Sequence, residues 1–482
     1  MIIKKVCFTL FFTIVLSSSF LAQNVIDSAC IHTKIYSLAS TEMQGREAGT
    51  LGGDIAKNYI LDFLKSVKAD KNTYLQKVPL VQIYNGKCYF FNKKDTLKEN
   101  IDFYIAQKKT AKLLPLELKN NKIILLEFSS NWKNNLNKFK GKWIQFSFSD
   151  KRDKRIEELI QQKEYFIQNG ILGLIISIPI ETQSTFFSES KKTYLSQDLS
   201  YENFPVILIN NNRFEQFLKR NKKISFTHKN TQFVNGFNIY TIFPGIKSTG
   251  NKTVLSAHYD HLGSNQRGVY YGADDNASGT AALMCIAHQI KKLENTAQQN
   301  EEDIVIAWWT AEEKGLLGSS YFTQNPPFDI QKINAVINVD MIGRYDTNYN
   351  PPNNYIYVIG SNFISNQLHL INEEVNNNGE KLILDYIYNL YDHPEDLFQR
   401  SDQYNFHLQG IPSIFFFSGF HSDYHTVYDT PDKIDAHKAS KIASHIFNLS
   451  NYLSQSKNQL LYIPAQLHSC RFILKGIYIQ PL

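Results

Sequence analysis

The chain has 482 residues, of which 43% are hydrophobic and 20% are charged, and its formal net charge is +6. This is the composition of an ordinary globular protein with enough apolar residues for a sizeable core, and the length predicts two or three domains. The lysines are scattered along the chain, and such a weakly basic balance argues against nucleic acid as a partner.

The first residues have the pattern of a secretory signal peptide. Lys4 and Lys5 form a short basic region, residues 6–20 are mostly apolar, and small and polar residues follow around Ala22. The apolar run is too short for a membrane anchor, and no later stretch approaches the ~20 apolar residues of a transmembrane helix. We therefore expect residues 1–22 to be removed and the protein to be exported, periplasmic or extracellular, without stable membrane insertion. An uncleaved N-terminal anchor is the alternative.

The mature chain would keep four cysteines, Cys30, Cys88, Cys285 and Cys470. None has CxxC spacing, which argues against a cysteine metal site. An export compartment permits disulfides, but their pairing cannot be read from one sequence. Cys285 lies in an apolar helical stretch, and we predict that it is a buried free thiol.

The chain then divides into a main domain, an insertion and a tail. Residues 23–85 have helical periodicity around a glycine-marked loop and form the first part of the main domain. Residues 86–231 contain short strand-like runs with Lys- and Asn-rich connections, and no cluster of histidines and carboxylates, so we predict a β-rich inserted domain. Residues 232–455 complete the main domain, and 456–482 are a partly apolar tail.

From residue 253 onwards, predicted strands alternate with predicted helices. The longest helices are predicted at 278–293, with Ser278 as the N-cap, and at 434–453. Strands are predicted at 253–257, 304–309, 335–339, 355–359 and 411–417. Continuous apolar strands that alternate with helices favour an α/β fold, with a largely parallel, buried sheet and helices on both faces.

Acidic residues and histidines follow these strands, at the edge where open α/β sheets bind their ligands. In chain order they are His258, Asp260, Asp274, Asp275, Glu312, Glu313, Asp340 and His425. Buried charges are costly unless they are paired or bound to a metal ion. Imidazoles among the carboxylates favour zinc over calcium or magnesium. The pattern therefore predicts a hydrolase with two metal ions.

Five motifs in this order resemble those of the co-catalytic di-zinc aminopeptidases, a group that includes bacterial leucyl aminopeptidase and, more distantly, glutamate carboxypeptidase II. The motifs are HxD at 258–260, GADDxASG at 272–279, AEExGLLGS at 311–319, NxDMIG at 338–343 and DYHxxxDT at 423–430. The resemblance covers roughly residues 33–85 and 232–455. It implies a three-layer α/β/α zinc-exopeptidase fold with a mixed, mostly parallel central sheet.

Carried over residue by residue, the resemblance implies that Asp274 bridges two zinc ions. His258 and Asp340 would complete one metal site, and Glu313 and His425 would complete the other. In this family the peptide bond after the bridging aspartate is typically cis, which here would be the bond between Asp274 and the next residue, Asp275.

The resemblance also implies the catalytic groups. Glu312 would act as general base and acid, taking a proton from the attacking water and returning it to the leaving amine. Asp260 would orient His258. Tyr424 would help to stabilise the oxyanion, with a packing aromatic as the alternative. Asp275 is interpreted as structural or as a support to the ligands.

Other polar residues of this region receive structural interpretations. We interpret His261, His288, His421 and His437 as structural or surface residues. Gln403, in the stretch that begins at Arg400, stands where the family often has a histidine.

The insertion has a looser resemblance to a protease-associated domain, which would act as a lid or a substrate-access element and would hold no catalytic residue. The stretches that carry the resemblance are 141–145, 170–176 and 204–209. An unrelated β-rich insertion is the alternative.

These observations predict an exported zinc-dependent aminopeptidase that releases N-terminal residues from peptide substrates with two zinc ions per chain. A glutamate-releasing carboxypeptidase is an alternative, but it needs basic residues for the substrate carboxylate, and none can be assigned. A single-zinc glutaminyl cyclase is a second alternative, and a non-catalytic binding module is a third. Intact ligand positions favour hydrolysis over both of these. The sequence leaves side-chain specificity and oligomeric state open.

Overall fold

The computed structural model describes residues 25–346, 354–455 and 460, except for 85–87, 92–95, 99–102, 106–110, 114–115, 120–122, 127, 129–131, 151, 180–190, 199, 203, 220–222, 229–230 and 248. The predicted signal peptide lies outside the described residues, as does the predicted tail apart from Leu460. Within the described ranges, no helix is long and apolar enough to cross a membrane.

The chain forms two compact units. The first combines the residues up to Val78 with those from Gly236 onwards, and the second is Pro79–Asn235. The sequence pattern places the insertion at 86–231, inside the second unit.

The first unit alternates strands and helices after two N-terminal helices. Its helices are α1 Ser28–Leu38, α2 Leu51–Ser66, α3 Gly279–Leu293, α4 Leu317–Gln324, α5 Asn366–Asn378, α6 Gln403–His407 and α7 Ala436–Leu453. Its strands are β1 Thr73–Tyr84, β2 Thr231–Phe243, β3 Lys252–His258, β4 Asp303–Trp309, β5 Ile333–Val339, β6 Tyr355–Ile359, β7 Ile383–Asp385 and β8 Ser413–Phe417, of which β1 and β2 continue into the second unit.

These strands belong to a mixed sheet of nine, in the order Lys191–Leu195, β1, β2, β4, β3, β5, β8, β6, β7. The central strands β4, β3, β5 and β8 are parallel to one another. β2 runs antiparallel to β4, and β6 runs antiparallel to β8. The predicted α/β fold with a mixed central sheet is therefore confirmed.

Helices cover both faces of the sheet because its central strands are apolar on both sides. Leu255, Ile306 and Ile337 belong to the core that includes side chains of α1, α2, α3 and α7. The alternate positions Val254, Val305 and Val336 belong to a second core, which includes Phe322 of α4 and Phe406 of α6. Successive side chains of a strand point to opposite faces, so these two cores give the three predicted layers.

The prediction that Cys285 is a free thiol was wrong. Cys285, on α3, forms a disulfide with Cys30, on α1, and the two lie 255 residues apart in the chain. Both helices pack in the same core, and that proximity is a long-range property that the local helical pattern around Cys285 does not reveal.

The second unit combines small sheets with short helices. A five-stranded sheet has the order Phe103–Ile105, Val206–Asn210, Gly173–Ile178, Trp143–Ser147, Ile123–Leu125, and a four-stranded sheet has the order Thr96–Lys98, Cys88–Phe91, Lys223–His228, Leu116–Lys119. Ala111–Leu113 and Ser200–Glu202 form a parallel pair. The helices are Lys154–Gln161, Lys163–Gln168 and Asn211–Lys219. The resemblance to a protease-associated domain stays a prediction.

Candidate metal centre

Three neighbouring parallel strands deliver acidic and histidine side chains to one edge of the sheet. His258 is the last residue of β3, and Asp340 directly follows β5. Glu312 and Glu313 follow β4 through Ala311, whose φ of 56° turns the chain sharply. The carboxyl ends of parallel strands meet at the same edge, so the fold brings these four side chains together.

A first group forms around His258. Its Nε2 atom lies 3.3 Å from Asp340 Oδ1 and 3.8 Å from Glu312 Oε2. The other ring nitrogen, Nδ1, lies 3.1 Å from the backbone carbonyl oxygen of Asp260. The Asp260 carboxylate is 3.8 Å from the same nitrogen and accepts a hydrogen bond of 3.1 Å from the backbone N–H of Glu312. Asp260 therefore contacts both His258 and Glu312.

A second group forms around Glu313. His425 Nε2 lies 3.2 Å from Glu313 Oε2 and 3.0 Å from Asp275 Oδ2. His261 Nδ1 lies 2.7 Å from the other Glu313 oxygen. The second oxygen of Asp275 is 3.4 Å from His258 Nε2. The carboxylate of Asp275 thus faces both groups, one oxygen towards each.

The carboxylate that faces both groups is that of Asp275, whereas the bridging role was predicted for Asp274. Asp274 Oδ1 accepts a hydrogen bond of 2.6 Å from the backbone N–H of Gly343, and its Oδ2 faces His421. The cis peptide bond follows Asp275 and links it to Asn276, one residue later than predicted. The two aspartates occupy an irregular loop rather than a strand, so alternation along the chain does not tell which one faces the groups.

The loop has its shape because Gly272 precedes it. Gly272 has a φ of 56°, a left-handed conformation that favours glycine. A Cβ atom there would also lie 2.5 Å from the ring of His261 and would clash with the carbonyl oxygen of Asp275. Gly272 therefore lets the Asp275 loop and the His261 ring come close together.

Asp429 holds the loop from the other side. Its carboxylate accepts hydrogen bonds from the backbone N–H of Asp274, at 3.0 and 3.1 Å, and from that of Asp275, at 3.1 Å. Burial, together with the nearby charge of Asp274, raises the pKa of Asp429 to about 6. The predicted N-cap residue Ser278 does precede α3, but its hydroxyl donates to the carbonyl oxygen of Asp274.

A chain of hydrogen bonds orients Asp340. Ser401 Oγ donates to Asp340 Oδ2 at 2.9 Å. Asn338 Nδ2 donates to Ser401 Oγ at 2.8 Å and to Gln403 Oε1 at 2.9 Å. Gln403, which replaces the family's frequent histidine, is therefore a buried member of this network. Ligand side chains that are fixed in this way hold a metal ion more tightly.

Arg46 is a fully buried cation behind the cluster. Its guanidinium donates to four backbone carbonyl oxygens, those of Leu38, Tyr259, Tyr271 and Gly272. Burial lowers the pKa of Arg46 to about 10, against the opposing effect of acidic neighbours that include Asp275. The sequence indicated this residue only as part of a glycine-marked loop, so its supporting role was missed.

The adjacent Glu312 and Glu313 have opposite protonation tendencies. Burial raises the pKa of Glu312 well above its usual range, although His258 opposes this, and Asp402 adds to it. Burial also favours the neutral form of Glu313, but His261 and His425 outweigh this and lower its pKa to about 2. One glutamate is thus disposed to hold a proton and the other to stay ionised.

Burial and oppositely charged neighbours also have opposing effects on the pKa values of Asp275, His258 and His425. Burial raises the pKa of Asp275, but His261, His258 and His425 outweigh it and bring that pKa well below the usual range. Burial lowers the pKa of His258, but Asp340 and Glu312 outweigh it and raise the pKa. The pKa of His425 rises to about 10 because hydrogen bonds to Asp275 and Glu313 exceed the effect of burial.

The two groups fit divalent metal ions. His258, Glu312 and Asp340 offer ligand atoms that lie within 4.8 Å of one another, and so do His261, Asp275 and Glu313. Within the described part of the chain, Glu313 Oε1 and His261 Nδ1 are buried without a hydrogen-bond partner. Such atoms are costly to bury unless a cation binds them, and mixed imidazole and carboxylate ligands suit zinc.

A pocket with an apolar wall opens beside the cluster. Its lining includes Asp275, Glu312, Glu313, Asp340 and His425 together with the side chains of Met341, Leu397, Arg400, Phe415, Phe417, Phe420 and Tyr424. The Tyr424 ring stacks on His425, with ring centroids 3.8 Å apart. Tyr424 is therefore at the site, against the imidazole of the second group.

One protein-family model matches a large part of the main unit. The model described as Peptidase family M28 matches residues 238–450. Leupeptin-inactivating enzyme 1 of Streptomyces exfoliatus is 33% identical over 115 residues, which cover 24% of this chain and 24% of that protein. Leucine aminopeptidase 2 of Trichophyton equinum is 36% identical over 94 residues, which cover 19% of this chain and 17% of that protein. The chain therefore matches less than two thirds of the length of these relatives.

Solved structures with the same fold extend over most of the chain. A zinc aminopeptidase from Bacillus subtilis aligns with a TM-score of 0.51 and 19% identity, covering 90% of this chain and 98% of that one. An aminopeptidase from Aneurinibacillus sp. strain AM-1 aligns with a TM-score of 0.50 and 16% identity, covering 92% of this chain and 97% of that one. At these identities the likeness concerns the fold.

Proposed function

We propose that this chain, whose residues 238–450 match the model described as Peptidase family M28, is a zinc-dependent aminopeptidase that removes N-terminal residues from peptides. The observation that carries the proposal is the position of Asp275, whose two carboxylate oxygens face the His258 group and the Glu313 group respectively. A carboxylate between two sets of imidazole and carboxylate ligands suits two zinc ions that act on one substrate.

Five residues would hold the zinc ions. Asp275 would be shared, His258 and Asp340 would bind one ion, and Glu313 and His425 would bind the other. Bound zinc lowers the pKa of a water molecule and polarises the carbonyl group of a substrate. The depressed pKa values of Asp275 and Glu313 support these roles, because a metal ligand must be ionised.

Glu312 is the proposed proton carrier. Its backbone is fixed by Asp260, its carboxylate lies near His258, and its pKa is raised mainly by burial. Such a group can accept a proton from the attacking water and deliver it to the leaving amine. Tyr424 lines the same pocket, and its hydroxyl would donate to the oxyanion.

The neighbouring pocket supports a large apolar N-terminal residue in the substrate. Met341, Leu397, Phe415, Phe417 and Phe420 supply an apolar wall beside the cluster. Burying an apolar side chain there contributes roughly 1.5–3 kcal/mol. Similar proteins that bear the name leucine aminopeptidase are consistent with this preference.

Export of the enzyme is also part of the proposal. The pattern at residues 1–22 is that of a signal peptide. The Cys30–Cys285 disulfide supports an oxidising compartment.

The test is hydrolysis of aminoacyl-nitroanilides and of the same compounds with blocked amino groups by the purified mature protein. We expect release from free N-termini only, loss of activity on chelation with recovery on adding zinc, and loss in Glu312→Gln. The exposed Glu158→Gln on the helix Lys154–Gln161 is the matched control and should keep full activity.

Two outcomes would contradict the proposal. Turnover of blocked N-termini with release of C-terminal residues would indicate a carboxypeptidase. A single zinc ion per chain, with cyclisation of N-terminal glutamine and no hydrolysis, would indicate a glutaminyl cyclase.

A further inference from the structure

His261 belongs with the second group although it lies outside the five proposed ligands. Its side chain is fully buried. Its Nδ1 atom lies 2.7 Å from Glu313 Oε1 and 3.8 Å from Asp275 Oδ2. The imidazole therefore faces the two carboxylates that His425 also faces.

The close approach of His261 to Glu313 brings together two buried atoms that a cation could bind. Among the described residues, neither His261 Nδ1 nor Glu313 Oε1 has a hydrogen-bond partner, in spite of their 2.7 Å separation. In the tautomer that carries its proton on Nε2, His261 Nδ1 and Glu313 Oε1 each have a lone pair that can bind a cation lying between them. A cation at that point would satisfy two buried atoms that otherwise carry a desolvation cost.

The two histidine rings are spaced as ligands of one ion would be. The ring centroids of His261 and His425 are 5.9 Å apart and the rings are inclined by 63°. Because Zn–N bonds are about 2.0–2.1 Å long, two imidazoles on one zinc ion bring their ring centroids to roughly 5–6 Å from each other. The observed spacing lies in this range.

We propose that His261 Nδ1 is an additional ligand of the zinc ion held by Asp275, Glu313 and His425. The inference rests on the proposed function, since it assigns a residue to that same metal centre. The second group then has two imidazoles and the first group has one, His258. The position of His261 is fixed in two ways. Gly272 leaves room for the His261 ring, and the backbone N–H of His261 donates to the carbonyl oxygen of Arg46.

His421 provides the matched control. It is also buried, and neither of its ring nitrogens has a hydrogen-bond partner within the described residues. Its Nε2 faces Asp274, which belongs to neither group, at 3.4 Å. His261 and His421 therefore share burial and unpaired nitrogens and differ in which carboxylates they face.

The experiment counts imidazoles on the metal directly. The mature protein is loaded with Co²⁺ in place of zinc, and proton NMR records the strongly shifted ring N–H signals that vanish in D₂O. Each imidazole that binds cobalt through one nitrogen keeps one such proton on the other. We expect three signals from the wild type, two from His261→Gln and three from His421→Gln. Circular dichroism checks that each variant is folded, and His261→Asn serves as a second variant if the glutamine destabilises the protein.

The readouts separate this inference from the proposed function. Two signals in a wild type that binds two Co²⁺ ions and hydrolyses aminoacyl-nitroanilides would overturn the role of His261 and leave the aminopeptidase intact. Three signals in folded His261→Gln would overturn it too. A wild type that binds no Co²⁺ and hydrolyses nothing would contradict both. In support, zinc titration of His261→Gln should show at least about a tenfold weaker second site with the first site unchanged.

Discussion

Two pairs of neighbouring acids lie at or beside the candidate metal centre, and they are arranged differently. Glu312 and Glu313 lie in one short helical turn after β4, and both reach the cluster, one towards each group. In the loop after Gly272 only Asp275 reaches it, while Asp274 turns to Gly343 and His421. A motif locates the site, but the local backbone decides which of two adjacent carboxylates takes part.

The largest expected effect is the difference between substituting Asp275 and substituting its neighbour Asp274. Asp275→Asn replaces a charged ligand that faces both groups, so we expect the zinc content to fall below two per chain and hydrolysis to fall below detection. Asp274→Asn keeps an oxygen for the N–H of Gly343 and should lower kcat/KM by no more than about 10–100-fold with zinc content unchanged. Metal analysis and initial rates on both variants check this. Equal losses of zinc and of kcat/KM in the two variants would contradict the distinction between Asp275 and Asp274.

The glutamate pair should separate catalysis from metal binding. Glu312→Gln should lower kcat by about 10²–10⁴-fold with both zinc ions retained, because a proton carrier is lost. Glu313→Gln should lower the zinc content and the affinity of the second site. Zinc titration beside kinetics would show this split, and a zinc loss in Glu312→Gln comparable to that in Glu313→Gln would contradict it.

Asp429 tests whether the aspartate loop depends on support from outside. Asp429→Asn keeps one acceptor oxygen for two backbone N–H groups, so Asp275 should be held less firmly. We expect about a 10–100-fold fall in kcat/KM, with partial recovery when excess zinc is added. An unchanged rate would mean that the loop holds its shape without this carboxylate.

The smallest effect contrasts His258, whose pKa is raised by nearby carboxylates, with the equally buried His445, whose pKa is shifted by burial alone. Burial alone lowers the pKa of His445 to about 4, and its Nε2 lies 2.8 Å from Asn372 Oδ1. The lowered folded-state pKa means that stability is present above the unfolded pKa of 6.5 and is lost as the pH falls towards 4.

The loss from His445 amounts to about 3 kcal/mol at most. Denaturant unfolding of His445→Gln against the wild type should show a shallower decline of stability between pH 6.5 and 4, with activity at neutral pH retained. Parallel stability curves for the two proteins would refute this origin of the acid sensitivity.

Much of the fold and the position of the site could be predicted from the sequence, and the reasons are local. Strands such as Lys252–His258 are apolar runs that end at polar residues, and the edge where they end is fixed by parallel packing. The predicted free thiol at Cys285 and the predicted cis bond after Asp274 were both wrong, because they depend on packing between distant segments and on loop geometry respectively. The bridging role stays a prediction, and we now propose it for Asp275.

The supporting residues were missed for the same reason. Three of the four carbonyl oxygens that accept from Arg46, and both backbone N–H groups that donate to Asp429, lie more than 150 residues away in the chain. His261 directly follows the HxD motif at 258–260, yet the carboxylate that it faces, that of Glu313, lies in the turn after β4. A sequence pattern gives no sign of which side chain faces such partners.

The central claim is that Asp275 joins two zinc sites, and zinc-edge anomalous diffraction from crystals of the mature protein tests it most directly. The account predicts two peaks, one next to His258 and Asp340 and one next to Glu313 and His425, with the carboxylate of Asp275 between them. A single peak, or two peaks with Asp274 between them, would contradict it.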